Sequence, residues 1–163
     1  MKKETTTMLI TTTIIGLTAG IFYCWSVSVT RGLALLPDSE YITAFQALNR
    51  AILNPLFFLC FFGSVILLPV STWQAYQSPV QLRFWLLLAA SVIYIVGIIG
   101  VTMAGNVPMN EALNVFDGTK ASAAEIAQKR QWFEGTWNNL NNIRTVAAVV
   151  SFALTVAAGL KSL

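Results

Sequence analysis

LLLAASVIYIVGIIGVTMA, residues 86–104, runs for nineteen residues without a charged side chain. A helix needs about 20 mainly apolar residues to cross the hydrocarbon core of a bilayer. A soluble domain rarely carries an apolar run of this length, because one face of each of its helices meets water. Together with the residues just before it, the stretch predicts a transmembrane helix over residues 82–104.

Other apolar blocks of this kind lie along the chain, at about 8–30, 51–72 and 143–160. The first block continues past the usual length of a signal-peptide core, so we interpret it as a retained span. Residues 73–81 form a short connection, which favours antiparallel neighbours. The sequence therefore predicts an all-α integral membrane protein, a single transmembrane domain over residues 1–163 built as an up-down-up-down four-helix bundle.

Two longer connections, residues 31–50 and 105–142, are predicted on the side opposite the termini. In the second, Ser122 and Glu125 have the spacing of a capping box, which starts a helix. Apolar residues follow at helical spacing on one face: Ile126, Phe133 and Trp137. We therefore expect an extra amphipathic helix on the membrane surface between the third and fourth spans.

Small and aromatic residues indicate how the spans pack and where they end. Gly16-x-x-x-Gly20 in the first span has the small-residue spacing that lets two helices approach closely. Trp73, Trp85 and Trp132 lie near span ends, where tryptophan commonly sits at the membrane interface. We expect the glycine face to pack against a neighbouring helix and the three indoles to meet the interface.

The composition excludes several classes of protein. Only 10% of the residues are charged, against about a quarter in soluble domains. The ten Lys and Arg are scattered, so no nucleic-acid partner is expected. The chain has no histidine, and Cys24 and Cys60 lie far apart, which removes most metal sites and redox-active cysteine pairs. We expect no metal and no cofactor, and the lipid bilayer as the main partner.

The predicted threading brings polar residues from all four spans to one end of the bundle. An unpartnered polar group beside lipid costs several kcal/mol, so these residues should face inward. The set combines arginines, amides, hydroxyls, an acid and two indoles: Trp25, Ser26, Ser28, Arg31, Asn49, Arg50, Asn54, Asn106, Asn110, Glu111, Trp137, Asn138, Asn141 and Arg144. Two interpretations stay open, a hydrogen-bonded clasp between helices and a site for an anion. Asp38 and Glu40 in the first long connection are other acids that could balance the arginines.

Four stretches carry a resemblance to a known family. They are GLTAGIFYCWSVSV at 16–29, ALNRAILNPLF at 47–57, GNVPMNEAL at 105–113 and WFEGTWNNLNNIRT at 132–145. Together they resemble the anthrone-oxygenase-like family of small four-span membrane proteins, many of whose bacterial members form a domain of unknown function. The resemblance implies a multi-pass protein of the bacterial inner membrane.

The resemblance also implies a substrate, a lipophilic aromatic of anthrone type that can enolise. Its oxyanion could react with O₂ without metal or flavin, given a base, oxyanion donors and an apolar pocket. As a hypothesis, Glu111 is the base, and Arg50 and Arg144 are the oxyanion partners. The other candidate substrate-binding residues are amides and aromatic side chains: Asn54, Asn110, Asn138, Asn141, Trp25, Trp137 and Tyr94.

Other functions fit the same sequence. A non-catalytic module could hold a lipid, a quinone or a partner helix at the polar end, and an assembly role or a homo-oligomer stays open. A transporter or channel is disfavoured, because the other halves of the spans, such as residues 93–100 and 152–159, offer almost no polar lining.

Overall fold

The computed structural model describes residues 3–77 and 81–160. Over these residues the chain forms five helices and no strand: α1 (Glu4–Ala34), α2 (Asp38–Ile52), α3 (Pro55–Tyr76), α4 (Gln81–Asn114) and α5 (Ala123–Leu160). All except α2 are long and apolar enough to cross a membrane, by length and composition. The all-α class and the presence of four span-length helices are therefore confirmed.

The four long helices pack around one core. α1 contacts α3 and α5, and α4 contacts the same two helices. Thr11 Oγ1 near the start of α1 lies 2.9 Å from Ser71 Oγ near the end of α3, and Ile14 packs against Gly63 farther back along α3. This order of contacts is the one that antiparallel neighbours produce. The direction in which each helix crosses a bilayer stays a prediction.

Buried hydroxyl groups join the helices far from the predicted polar end. The hydroxyls of Thr72 and Ser91 lie 3.0 Å apart, and Ser151 Oγ donates to the Ala90 carbonyl at 2.9 Å. The interior of this half is therefore more polar than the sequence suggests. Each of these hydroxyls has a hydrogen-bond partner on another helix. The resulting interhelical hydrogen bonds hold the bundle together.

The connection at residues 31–50, expected as a loop, contains most of helix α2. Pro37 precedes this helix, and Asp38 and Glu40 lie in its first turn, where carboxylates favour the positive end of the helix dipole. One face of α2 is apolar and buried, with Phe45 fully hidden. The first long connection is thus a short helix packed against the rest of the protein.

The second span begins later than predicted. α2 ends at Ile52, and Asn54 Oδ1 accepts a 3.0 Å hydrogen bond from the Phe57 backbone N–H, which caps the new helix α3. Pro55 occupies the first turn of α3, where its missing N–H does no harm. The helix that corresponds to the span predicted over 51–72 is therefore Pro55–Tyr76, and it follows a break in the helix at Leu53 and Asn54.

The amphipathic segment and the fourth span form one helix. α5 runs unbroken over Ala123–Leu160, whereas the sequence predicted a surface helix within 105–142 and a separate span over 143–160. The capping box is confirmed, because Glu125 Oε2 accepts 2.7 Å hydrogen bonds from the backbone N–H and hydroxyl of Ser122. No proline lies within α5, so its backbone hydrogen bonds continue from the surface segment into the span.

The end of α1, α2, the end of α4 and the beginning of α5 form a second apolar cluster beside the four-helix core, which we term the collar. At its centre the rings of Phe45 and Phe133 meet edge to face, 4.7 Å apart. Arg130 of α5 ties the collar together: it donates to Asp38 Oδ1 at 2.9 Å and to Glu134 Oε2 at 2.8 Å. Asp38, one of the acids that could have balanced the predicted site, is therefore engaged in the collar.

Tyr41 of α2 is hidden in the same cluster. The Arg130 guanidinium lies over its ring, 4.5 Å from the centroid. Burial raises the pKa of the Tyr41 phenol, the Glu134 carboxylate raises it further, and Arg130 partly opposes this shift. The phenol therefore stays protonated at physiological pH.

Gly97 marks a very close approach of α4 to α5. A methyl group at this position would lie 2.6 Å from Ala147 Cβ, nearer than two carbon atoms can approach. We expect Gly97→Ala to lower the free energy of unfolding by about 1–3 kcal/mol, the usual range for overpacking. Gly20→Ala is the matched control, because a methyl group there meets nothing within 4 Å. Thermal unfolding of the purified variants measures the difference, and equal stabilities would contradict the close packing.

Candidate functional site

A cavity of about 200 Å³ lies where all five helices meet, next to the collar. Most of its wall is aromatic or aliphatic, with phenylalanines from the first two turns of α3 along one side. Its polar lining comes from α2, α4 and α5: Asn49, Thr102, Asn110, Asn141 and Arg144. A mainly apolar cavity with a few placed polar groups is the usual form of a small-molecule site.

Arg144 places a positive charge in this wall, and its side chain is almost entirely buried, with a relative exposure of 6%. Its Nη2 donates to Asn141 Oδ1 at 2.9 Å, and its Nη1 donates to Thr102 Oγ1 at 3.3 Å. The guanidinium carbon lies 4.7 Å from the Phe22 ring centroid and 5.4 Å from that of Trp137, within cation–π range. Within residues 3–77 and 81–160 it forms no ion pair with a carboxylate. The site therefore carries a buried positive charge that an anion would neutralise.

Aromatic rings close the end of the cavity that faces the collar. The Trp25 and Trp137 rings lie 5.2 Å apart, and the Phe45 ring meets Trp137 edge to face at 4.8 Å. The indole N–H of Trp137 donates to Asn110 Oδ1 at 2.7 Å, which fixes the ring's orientation. Phe45 and Trp137 both belong to the collar, and Trp137 also lines the cavity, so these rings form the boundary between the two.

A hydrogen-bond network holds the guanidinium in place. Asn141, which accepts from Arg144, donates through Nδ2 to Ser26 Oγ at 2.9 Å. The Ser26 and Thr145 hydroxyls lie 2.8 Å apart, and Thr145 Oγ1 also lies 3.0 Å from the Phe22 carbonyl. The network joins α1 to α5, so the position of the charge depends on how these two helices pack.

Both α1 and α4 are locally π-helical where they pass the cavity. The π turns cover Trp25–Val29 in α1, and Ile95–Gly100 and Thr102–Asn106 in α4. Pro108, which has no backbone N–H, follows the last of them, and proline commonly disturbs the helical turn before it. Three residues of these turns line the cavity: Trp25, Thr102 and Met103. π turns inside α-helices occur frequently at functional sites.

Two donors at the cavity have no hydrogen-bond partner in the described part of the chain. They are Asn49 Nδ2 and Arg144 Nε, and both are buried. Asn106, on a π turn of α4, is fully buried with neither amide atom paired. An unsatisfied buried polar group costs about 1–3 kcal/mol. A ligand that brings acceptor oxygens would relieve this cost at Asn49 and Arg144.

Five of the residues predicted for the site line the cavity: Trp25, Asn110, Trp137, Asn141 and Arg144. They come from α1, α4 and α5, which are distant in sequence. The expected convergence of polar and aromatic residues is therefore observed for these three helices.

The structure does not bring Arg50 and Glu111 to this cavity. Both are exposed, and neither lines the cavity or forms an ion pair among the described residues. Arg50 and Asn54 are four residues apart, a spacing that would place them on one face of a continuous helix. The helix break before Pro55 separates them, so that spacing no longer sets their orientation.

Three further predicted residues also lie outside the cavity wall. Asn54 caps α3, as described above. The Tyr94 hydroxyl donates to the Phe61 carbonyl at 2.9 Å within the bundle core. Asn138 is half-buried, and its Oδ1 has no partner among the residues that the structure describes. For Asn54 and Tyr94 the structure gives a local structural role instead.

The sequence placed Asn49 among the polar residues at this end of the bundle but gave it no catalytic or substrate-binding role. Tyr41, Phe45 and Asn49 are spaced i, i+4 and i+8, and all three are buried on one face of α2. That spacing could have assigned Asn49 to the site, but only once residues 38–52 are recognised as a helix. Phe22 and Thr102 carry no comparable signal, because each lies within a long apolar block.

Fold and cavity together define a small polytopic helical membrane protein with an internal cavity whose wall includes a buried arginine. A family model described as anthrone oxygenase matches residues 57–154, more than half of the chain. The chain therefore belongs to the anthrone oxygenase family, as its resemblance indicated. The matched region includes cavity residues from α3, α4 and α5, among them Arg144. No curated protein and no solved structure matches the chain.

Substituting either of two arginines of α5 by methionine should change the free energy of unfolding by different amounts. Arg144 is buried without a carboxylate, so Arg144→Met removes a desolvated charge and should leave the free energy of unfolding within about 1 kcal/mol of the wild type, or raise it. Arg130→Met breaks hydrogen bonds to Asp38 and Glu134 and should lower it by about 1–3 kcal/mol. Thermal unfolding in one detergent compares the pair. A larger loss for Arg144→Met than for Arg130→Met would show that the Arg144 charge is structural.

Proposed function

We propose that the protein is a membrane-embedded oxygenase that binds a lipophilic, enolisable aromatic of anthrone type in the cavity and oxidises it without metal or flavin. The observation that carries this proposal is the buried guanidinium of Arg144, which lies between aromatic rings and forms no ion pair with a carboxylate. A flat aromatic oxyanion matches both features. As part of the same proposal, the protein resides in the bacterial inner membrane.

The reaction that fits this site converts a methylene carbon opposite a ketone into a carbonyl. The carbon first loses a proton, and its electron pair is delocalised onto the ketone oxygen as an aromatic oxyanion. One electron then passes to O₂, and the superoxide and substrate radical join through a new C–O bond as a peroxide anion. This anion takes up the first proton and becomes a hydroperoxide. Loss of the second C–H proton breaks the O–O bond and releases hydroxide, which becomes water. The balance is CH₂ plus O₂ giving C=O plus H₂O.

The cavity residues supply the electrostatic part of this reaction. Arg144 holds the oxyanion, and Asn49 donates to a second oxygen of the substrate. Trp25 and Trp137 contact the rings. Donors fixed in advance where charge develops lower the barrier, because they need no rearrangement during the step. The geometry of the Asn141 and Ser26 network supports this role, since it holds the guanidinium before any ligand binds.

The cavity wall, as far as the structure describes it, holds no carboxylate that could accept the first proton. Glu111, the base suggested by the sequence, is exposed and outside the cavity wall. We assign the first proton to a water molecule that enters with the substrate, with the Arg144 charge favouring ionisation of the substrate.

A second function is favoured by one observation, the absence of a carboxylate from the cavity wall among the described residues. Without a base, the same cavity would serve a non-catalytic module that binds an anionic lipid or a quinone. Such a protein would bind an anthrone-like molecule and consume no oxygen. Oxygen uptake therefore separates the two functions.

We expect the purified protein in lipid nanodiscs to consume O₂ with anthrone in the presence of EDTA, above the rate with empty nanodiscs. Arg144→Leu should reduce this rate by about 10²–10³, the usual effect of losing one oxyanion donor. Arg144→Lys should recover part of it, because the charge returns without the planar fork. An oxygen electrode measures the rates. Full turnover by Arg144→Leu, or loss of all turnover with EDTA, would contradict the mechanism.

Substitutions of Asn49 and Glu111 distinguish two assignments: Asn49 as a donor in the cavity, and Glu111 as the base that the sequence suggested. Asn49→Leu removes an unpaired donor at the cavity and should lower kcat/KM for anthrone by about tenfold or more, the equivalent of one hydrogen bond. Glu111→Gln keeps the shape of an exposed side chain and should leave kcat/KM unchanged. If Glu111 were the base, Glu111→Gln would instead lose about 10²–10⁴ in rate. Both variants are assayed in the same nanodiscs.

A further inference from the structure

We infer that the cavity opens sideways into the bilayer, between α3 and α4, and takes its ligand from the lipid phase. The ligand is then an amphiphile dissolved in the membrane, with an oxygen-bearing head that meets Arg144 and an apolar body directed toward the lipid. The identity of the ligand rests on the proposed function. The route rests on the helix packing and the exposed side chains alone.

The first support is a gap between α3 and α4. Close backbone contact between these helices is largely confined to Gln81–Tyr94 of α4. Beyond that stretch α4 becomes π-helical, and the π turns Ile95–Gly100 and Thr102–Asn106 pack on α5 instead. The first turns of α3 therefore have no close helix neighbour on this side, and the cavity lies behind them.

The second support is the rim of the cavity at this gap. Four lining residues are also exposed, namely Leu53 at 57%, Phe58 at 38%, Phe62 at 49% and Met103 at 58%. All four are apolar. A mouth that opened to water would expose large apolar side chains without polar ones between them, which soluble surfaces avoid. A mouth that opens to acyl chains has no such cost.

The third support is the depth of the rim along α3. Phe58 and Phe62 lie three and seven residues after Pro55, which is roughly 5 and 10 Å along the axis at about 1.5 Å per residue. The outer face of α3 is apolar and exposed from its first turn, as Leu56 and Ile66 show. The helix has 22 residues, which is close to the about 20 needed to cross the core. Its first turns therefore lie at the edge of the hydrocarbon region.

The fourth support is that the other end of the cavity is closed. The Trp25 and Trp137 rings and the buried Phe45 separate it from the collar. Arg144 lies within the wall and is hidden from solvent. A ligand that comes through the gap therefore meets apolar side chains first and the guanidinium last. This order suits a molecule with one polar end and an apolar body.

Quenching of tryptophan fluorescence by lipid tests the route directly. Replacing Trp73, Trp85 and Trp132, all exposed, by Phe leaves Trp25 and Trp137 as the indoles of the chain. This background protein is reconstituted in phosphatidylcholine with brominated acyl chains and in the unbrominated lipid, since bromine quenches indoles only at short range. We expect clear quenching in the brominated bilayer, because acyl chains reach the cavity through the gap.

Variants of the rim then decide whether the gap is the route. Met103→Ala widens the gap and should increase the quenching, while the double variant Leu53→Phe with Met103→Phe should lose most of it. Ile66→Phe is the matched control, because Ile66 is exposed on α3 and does not line the cavity; it should quench as the background protein does. Thermal unfolding of each variant shows whether it is folded.

The outcomes separate this inference from the proposed function, because the measurement needs no turnover. No quenching in the background protein, or equal quenching in the folded rim variants, would overturn the sideways opening even if anthrone were oxidised. If quenching increases in Met103→Ala and is lost in the double variant, but the protein takes up no oxygen, the sideways opening stands and the oxygenase function is rejected.

Discussion

Lipid offers no hydrogen-bond partner, so a polar side chain on a membrane-crossing helix has to find its partner on another helix. Most of this bundle obeys that constraint through short pairs, such as Thr11 with Ser71 and Thr72 with Ser91. Those pairs fix which helices are neighbours and at what height they meet. The positions of the cavity and the collar follow from this packing. A departure from the constraint is therefore informative about function.

Arg144 is the clearest departure. Its charge is buried, held by an amide, a hydroxyl and two rings, and one of its nitrogens has no partner among the described residues. Arg130, fourteen residues earlier on the same helix, shows how the chain satisfies an arginine when it serves structure alone, with Asp38 and Glu134 beside it. The contrast between the two supports a ligand role for Arg144. It does not depend on the family assignment.

The sequence predicted the parts of the fold that follow from apolar length and helix capping. Four long apolar runs and the Ser122–Glu125 pair were sufficient for the spans and for the start of α5. Helix α2 was missed although its sequence is amphipathic: Tyr41, Ile42 and Phe45 are buried on one face, against the end of α4 and the beginning of α5. The close packing predicted from Gly16-x-x-x-Gly20 is observed at Gly16 and not at Gly20. A methyl group at Gly16 would meet Phe152, while one at Gly20 would meet nothing within 4 Å.

Site residues were predicted where the antiparallel threading brings the ends of the helices together, as for Trp137, Asn141 and Arg144. The prediction failed at two kinds of local irregularity. The break before Pro55 removed Arg50 from the set, and π turns carried Thr102 and Met103 to the cavity wall. The π turns depend on tertiary packing, and the periodicity of one sequence cannot show them. The break before Pro55 has a local signal, the Asn54 cap followed by proline, which the span predicted over 51–72 overlooked.

The unbroken course of α5 has a mechanical consequence. At about 1.5 Å per residue, Arg130 and Arg144 are separated by roughly 21 Å on one stiff rod, with the first fastened in the collar and the second in the cavity wall. Tilting the outer segment about its fastening would swing the inner charge relative to α1. A change in bilayer thickness, or a protein that grips the collar, would thereby alter the cavity without touching it.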